Sequence, residues 1–277
     1  MFTLNCKGRL MLIDKPIVMG IINTTPDSFY SGSRHATENE VLHRAERMLE
    51  QGATILDIGG QSTRPGSEQV GEDEEIRRVL PSITAIAKRF PEAFISIDSF
   101  YASVVRDSIL AGAHIVNDVS AGSIDPGLLP AVADLQVPYV LMHMKGHPQT
   151  MQLKPEYENV VTEVFDALNF KMAELIKAGI HDIIIDPGFG FGKTATHNFS
   201  ILKKLSYFNQ LNKPLMVGLS RKATVYKTLN IAAEEALNGT TVMHTMALLN
   251  GAKILRVHDV REAMEAIKLV DRYAAAP

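Results

Sequence analysis

Residues 183–194 read IIIDPGFGFGKT. The closing Gly192-Lys193-Thr194 resembles the end of a P-loop, whose backbone amides cradle a nucleotide phosphate. That loop needs a glycine five positions before its final one. Pro187 stands there, and Gly188 is one residue too close. The nucleotide reading fails on spacing. What remains is an aspartate at the end of an apolar run, followed by a stiff Pro-Gly turn.

Outward from this stretch, the run at 182–186 (DIIID) is the sixth of eight. The others are 17–22 (IVMGII), 54–58 (TILDI), 94–97 (FISI), 113–117 (AHIVN), 138–144 (PYVLMHM), 214–217 (PLMV) and 253–257 (KILRV). They are largely non-alternating, as strands buried on both faces must be. Helical patterns separate them. The first, 37–51, opens on a capping box from Thr37 to Glu40. The stretch 156–178 is amphipathic, with Gly179 suited to its C′ position. Gly52, Gly112, Gly179 and Gly251 close helices before the second, fourth, sixth and eighth runs, at intervals of 60, 67 and 72 residues. Pro16, Pro91, Pro138 and Pro214 stand at the start of the first, third, fifth and seventh. This alternation over eight units predicts a (β/α)8 TIM barrel assembled from four double units. An open doubly wound sheet is the alternative. Residues 2–14 are expected to form a hairpin closing the barrel bottom. No linker or low-complexity segment interrupts residues 1–277, which predicts one domain.

Composition narrows the function classes. Hydrophobic residues make up 46% of the 277, enough for a substantial core. A net charge of −3 gives no bulk attraction to nucleic acid or to an anionic membrane. The single cysteine, Cys6, excludes an internal disulfide framework and a multi-cysteine zinc site. No apolar run reaches the roughly 18 residues of a membrane span, and MFTLNCKGRLMLIDK lacks a signal-type core. A cytoplasmic enzyme or binding protein, without nucleic-acid or membrane partners, is the expectation.

In a barrel of this kind the loops at the C-terminal strand ends carry function. Nearly every run here ends in polar residues: Asn23, Asp57, Asp98, Asn117 with Asp118, His143, Asp186, Ser220-Arg221-Lys222, and Arg256 with His258 and Asp259. Such a ring marks a site. GLSRK and RVHD bring donors to the seventh and eighth strands: Ser220, Arg221 or Lys222, Arg256 and His258. Those loops are the usual phosphate location of the fold, and arginine forks suit phosphate oxygens. Asp98, Asn117 and Asp186 supply acceptors and an amide instead. They suit a flat heterocycle with a guanidine-like edge of N–H donors. Two long loops, NTTPDSFYSGSRH (23–35) and GGQSTRPGSEQVGEDEE (59–75), exceed the usual connection of about 2–6 residues and read as closing segments.

Taken in order, NTTPDSF, GGQSTRPG, IDSF, NDVSAG, DPGFGFGK, GLSRK and RVHD are similar to the motif set of bacterial dihydropteroate synthases, over residues 17 to 270. The resemblance implies a (β/α)8 barrel, normally a homodimer, that uses Mg²⁺. It implies condensation of 6-hydroxymethyl-7,8-dihydropterin diphosphate with 4-aminobenzoate, giving 7,8-dihydropteroate and pyrophosphate. By the same resemblance Asp98, Asn117, Asp186 and Lys222 contact the pterin. Asn23, Arg256 and His258 match the diphosphate and metal region, with Asn23 toward the metal. Thr63, Arg64 and Pro65 belong to the second loop, while Phe29, Phe191 and Ser220 match the aminobenzoate pocket. Asn23, Arg256, His258 and Lys222 are the implied catalytic set. Three departures stand out. Thr24 replaces the family's usual Val, Gln61 its Glu, and Ser31 an aspartate of the first loop, with Asp27 nearby.

Plainer readings compete for single residues. Asp186 alone could cap a turn, and Asp57 suits a buried structural role as well as a site role. His143 reads as a satisfied barrel histidine, Lys193 as a surface lysine, and GEDEEIRR (71–78) as a solvated helix start. LMHMKGHPQTMQ (141–152) reads as packing and loop. Two rival functions share the pterin-type barrel. A corrinoid-dependent, folate-binding methyltransferase domain should lack STRPG and SRK beside RVHD. A non-catalytic pterin- or anion-binding paralogue should lose the diphosphate donors while keeping Asp98 and Asp186. Here both sets are present.

Overall fold

The computed structural model describes residues 1–24, 34–61, 70–146, 151 and 155–277. Strands β1 (Phe2–Cys6) and β2 (Arg9–Ile13) form the expected antiparallel hairpin. Its two-residue turn puts Lys7 and Gly8 at φ 54° and 85°, the doubly positive geometry whose twist matches paired strands.

Eight parallel strands follow: β3 (Ile17–Asn23), β4 (Ile55–Gly59), β5 (Phe94–Asp98), β6 (Ile115–Asp118), β7 (Tyr139–Met142), β8 (Ile183–Asp186), β9 (Met216–Val217) and β10 (Ile254–Val257). They lie in the order β8-β7-β6-β5-β4-β3-β10-β9. A parallel bridge from Ile185 to Leu215 joins the two ends. The barrel is therefore closed, and the open-sheet alternative is excluded. Around it run α1 (Arg34–Glu50), α2 (Glu72–Arg89), α3 (Ala102–Ala111), α4 (Leu128–Leu135), α5 (Val160–Lys177), α6 (Ala195–Lys203), α7 (Ala223–Leu229), α8 (Leu237–Leu249) and α9 (Val260–Ala274). No helix among the described residues is long and apolar enough to cross a membrane.

The boundaries differ from expectation for identifiable reasons. Strand β9 is two residues rather than four: Pro214 has no N–H to give, and Leu215 stands just before the strand, bridged to Ile185 and accepting from the Lys253 and Ile254 amides. His143 lies just past β7 rather than inside it, although its amide still donates to the Asp186 carbonyl at 3.0 Å. Helix α1 begins three residues before Thr37, so that residue lies within the helix and not at its cap. Helix α5 starts at Val160, where Asn159 accepts from the amides of Val161 and Thr162. The four helix-closing glycines all take positive φ, from 91° to 120°, as the repeat requires.

Side-chain alternation sets where chemistry begins. At the bottom of the barrel the inward residues Met19, Ile55, Ile115, Val140, Ile184, Met216 and Ile254 form one cluster with Leu4, Cys6, Met11 and Ile13 of the hairpin. The hairpin thus plugs the bottom with apolar surface. Two residues further along β4, β6, β8 and β10, the inward side chain becomes Asp57, Asn117, Asp186 and Arg256. A period of two aims both sets at the same axis. Outward residues such as Leu56, Ile58, Ile97, Val116, Leu141, Ile185 and Leu255 pack instead under the helices.

Candidate active site

The centre of the barrel mouth is a charge bridge. Arg256 donates through Nε to Asp57 Oδ2 at 2.7 Å and through Nη2 to Asp98 Oδ2 at 2.5 Å. Asn117 Nδ2 donates to the same Asp57 oxygen at 3.1 Å, which turns the Asn117 carbonyl oxygen the other way. Asp57 is fully buried, and its Oδ1 has no hydrogen-bond partner among the described residues. Burial drives the Asp98 carboxyl well up from its ordinary range; Arg256 pulls it back down, while Asp57 pushes it further up. Burial also works against the Arg256 charge, but the two carboxylates outweigh it and hold the guanidinium protonated.

The sequence suggested a basic half and an acidic half. The structure interlocks them. Unpaired charges cannot be segregated in a low-dielectric barrel without a large desolvation cost, so donors and carboxylates pair across the lumen. Arg256, expected as a free diphosphate donor, therefore has Nε and Nη2 committed to acids. Asp57 is buried and accepts from both Asn117 and Arg256.

Asp186 ends β8 and accepts from the Gly188 amide at 2.7 Å. Lys222, at the start of α7, faces this turn. Its ammonium donates to the Phe189 carbonyl and lies 4.5 Å from the centre of the Phe191 ring. Burial brings its pKa down to about 8, against the opposing pull of Asp186. Phe191 packs beside Phe100, Val119, Met142 and Met144. The mouth therefore has an apolar wall next to its acceptors.

Other residues fall on the rim. Ser220 Oγ accepts from the His258 amide at 3.2 Å. Burial and the nearby Arg256 hold the His258 imidazole down to about 4, so it is neutral at neutral pH. Arg221, left open beside Lys222 as a donor, turns away and grips both oxygens of Asp259 at 2.8 and 2.9 Å. Asp118 also leaves the ring. It occupies the outward register of β6 and accepts from Tyr139 Oη and the Ser120 and Gly122 amides at 2.6–2.7 Å. Asn23 ends β3, and Thr24 donates to the Gly59 carbonyl through both its amide and its hydroxyl. The departure at Thr24 thus gains a second bond to β4. Phe29, Ser31, Asp27, Thr63, Arg64 and Pro65 lie outside the described residues.

Two buried charges were missed in the sequence. Lys193, read as a surface lysine, is 3% exposed, with its ammonium among backbone carbonyls. Glu75, read as part of a solvated helix start, is fully buried under Gln61 Nε2 at 2.9 Å. A signal for Glu75 existed: it continues the buried stripe of Val79, Ile83 and Ile86 at helical spacing. Burial raises its carboxyl from about 4.5 to about 7. A carboxyl raised in this way contributes its full stability below its unfolded value and loses it as pH climbs through the folded one. Glu75→Gln is therefore expected to gain on the order of 2–3 kcal/mol relative to wild type between pH 4.5 and 7.5. Thermal unfolding at both pH values checks this; a pH-independent difference would reject it.

The sequence profile of the family described as pterin binding enzymes matches residues 19–258. The dihydropteroate synthase of Escherichia coli (strain K12) is 43% identical, covering 98% of this chain and 96% of that one. The dihydropteroate synthase of Haemophilus influenzae is 40% identical, covering 96% and 97%. Among solved structures, the Yersinia pestis dihydropteroate synthase in a sulfonamide drug complex superimposes with TM-score 0.93 at 40% identity, covering 99% of this chain and 100% of that one. The Xanthomonas albilineans dihydropteroate synthase in complex with 7,8-dihydropteroate gives TM-score 0.89 at 39% identity, with the same coverage.

Proposed function

The chain belongs to the pterin-binding enzyme family, and from this premise we infer that it acts as a dihydropteroate synthase. It joins 6-hydroxymethyl-7,8-dihydropterin diphosphate to 4-aminobenzoate and releases pyrophosphate. The observation that carries this reading is the Asp186 turn. A buried carboxylate and Asn117, its Nδ2 held by Asp57, take the inward register at the barrel mouth, with Lys222 against Phe191 at their side.

In this reading the pterin's amino edge donates to Asp186, and the ring stays within reach of Asp98 and Lys222. The exocyclic C–O bond to diphosphate breaks as the C–N bond to the arylamine forms. The dihydropterin ring donates electrons into the developing cation, which favours a loose path. The departing diphosphate carries the growing negative charge, and His258, Ser220 and the remaining Nη1 of Arg256 offer donors beside it. The arylamine nitrogen is already nucleophilic and sheds its proton after attack, so no strong base is required. The Phe191 wall keeps water from competing for the cation.

Mg²⁺ takes hard oxygen ligands and pairs readily with phosphates. The residues present fit such an ion. A Cβ built on Gly59 would stand 3.7 Å from Asp98 Oδ2 and 3.8 Å from Asn23 Oδ1, so the glycine leaves an oxygen-lined notch. Asn23 would offer its amide oxygen there, and the ion would supply charge neutralisation for the diphosphate. The reading also includes a homodimer in the cytoplasm. Val242, Met246 and Leu249 leave an exposed apolar stripe along α8, flanked by Leu269 and Tyr273 of α9, and a second copy would cover it. Met246→Lys is then expected to sediment as a monomer where the wild type sediments as a dimer; an unchanged sedimentation coefficient would remove this surface from the interface.

Asp186→Asn tests the pterin assignment. It swaps a carboxylate for an amide that presents its own N–H to N–H donors. Affinity for the pterin diphosphate is expected to fall about 30- to 100-fold, roughly 2–3 kcal/mol. Titration calorimetry without 4-aminobenzoate reads this directly, and an unchanged affinity would refute the assignment.

A further inference from the structure

Lys193 has no part in the chemistry above, yet it is one of the most buried charges in the protein. Its ammonium donates to the carbonyls of Gly188 at 2.9 Å, Phe191 at 3.0 Å and His143 at 3.2 Å. His143 Nδ1 lies 3.0 Å away as a fourth contact. That contact makes the imidazole an acceptor there, and burial holds its pKa down to about 3, so it stays neutral. No carboxylate among the described residues bonds to this amine; burial draws its pKa down to about 7, with Asp186 pulling it back up. Backbone carbonyls just past β7 and in the turn after β8 hold it, and it ties the two together.

The turn has other ties on either side of Phe191: the Gly190 amide donates to Asn198 Oδ1 at 3.0 Å, Tyr157 Oη donates to the Gly192 carbonyl at 2.9 Å, and Lys222 donates to the Phe189 carbonyl. The Phe191 amide donates to the Gly188 carbonyl at 3.1 Å, the same oxygen that Lys193 engages. Asp186 has its own bond to the Gly188 amide, upstream of the lysine's grip. Lys193 therefore sets the far half of the turn, where the Phe191 ring meets Lys222, more than the near half that holds Asp186.

We propose that Lys193 is a positioning residue for the second substrate: its ammonium fixes the Gly188–Phe191 turn and thereby the aromatic wall against which the arylamine lies. This rests on the dihydropteroate synthase reading above. The geometry separates the two substrates by hydrogen bond: Asp186 holds the Gly188 amide and has no direct bond to Lys193, whose charge only helps keep that carboxyl ionised, behind Lys222 and Arg256.

Lys193→Met keeps the length of the side chain and removes the donors. In the full-length protein with Mg²⁺, the KM for 4-aminobenzoate is expected to rise at least tenfold. The calorimetric affinity for pterin diphosphate should stay within about threefold of wild type. If Lys193 acts through Phe191, adding Lys193→Met to Phe191→Ala should raise that KM no further. Lys193→Leu, which also removes the donors, carries the same test should the methionine variant unfold. An unchanged arylamine KM in a folded variant overturns the proposal, as does equal loss of both substrates or full additivity with Phe191→Ala. Wild type serves as the separate control. If it forms no dihydropteroate, the parent reading fails; if it turns over normally while the lysine variants match it, only the positioning role fails.

Discussion

Arg256→Met is expected to lower kcat/KM on the order of 10²- to 10³-fold and to cost about 3–5 kcal/mol of stability at neutral pH. Among the described residues the arginine is the only side chain that bonds both Asp57 and Asp98, at 2.7 and 2.5 Å. Its removal leaves two carboxyls facing each other in the lumen, one of them fully buried with an oxygen that has no partner among the described residues. Two such groups cannot both remain ionised, so one takes up a proton. The sign then follows. A carboxyl raised in the folded state stabilises fully at acid pH and loses that contribution as pH rises through its folded value. The variant should be closest to wild type near pH 5 and fall away by pH 8. Arg256→Lys should recover little, since a point charge on a flexible stem cannot fork between both acids. Thermal unfolding across that pH range, with steady-state kinetics, measures both effects. A variant equally destabilised at pH 5 and pH 8 would show that the bridge carries no linked protonation.

Gly188→Ala is expected to be the most damaging added methyl among the described glycines. Gly188 has φ +72°, and a Cβ there would come within 1.9 Å of the His143 carbonyl oxygen. That oxygen is backbone and also accepts from Lys193, so it cannot move aside without breaking the turn. A loss of about 3 kcal/mol or more is expected, with little pterin affinity in whatever remains folded. Gly179→Ala is the control. Its φ is +91° but nothing lies within 4 Å of the added Cβ, so only the backbone term of about 1 kcal/mol remains. Denaturant unfolding of both variants separates collision from strain. Equal losses would mean that the close approach at Gly188 is relieved cheaply.

The barrel was legible because its causes are local. Buried parallel strands must be apolar in unbroken runs, and helix-closing glycines must precede them; both are visible one segment at a time. The polar ring was legible for the same reason, since a strand's last inward residue is marked by its register. Pairing was not. Arg256 and Asp57 are 199 residues apart, and no local pattern says that a donor expected for phosphate instead bridges carboxylates. Nor could sequence separate Arg221 from Lys222, adjacent residues that the turn after β9 sends in opposite directions, one to Asp259 and one to the mouth. Lys193 was misread because its partners are carbonyls, which every residue has. Glu75 was misread for a different reason: the charge run around it hid its place on the buried stripe of α2. The polar residues of the barrel mouth could thus be placed from sequence, while their pairing and electrostatics required the fold.

The most direct test of the central claim is pyrophosphate release from 6-hydroxymethyl-7,8-dihydropterin diphosphate in the presence of Mg²⁺, measured with and without 4-aminobenzoate. Release that depends on 4-aminobenzoate, with 7,8-dihydropteroate formed in equal amount, is the predicted result. Tight pterin binding without turnover would contradict it, and would leave the chain a pterin-binding protein rather than a synthase.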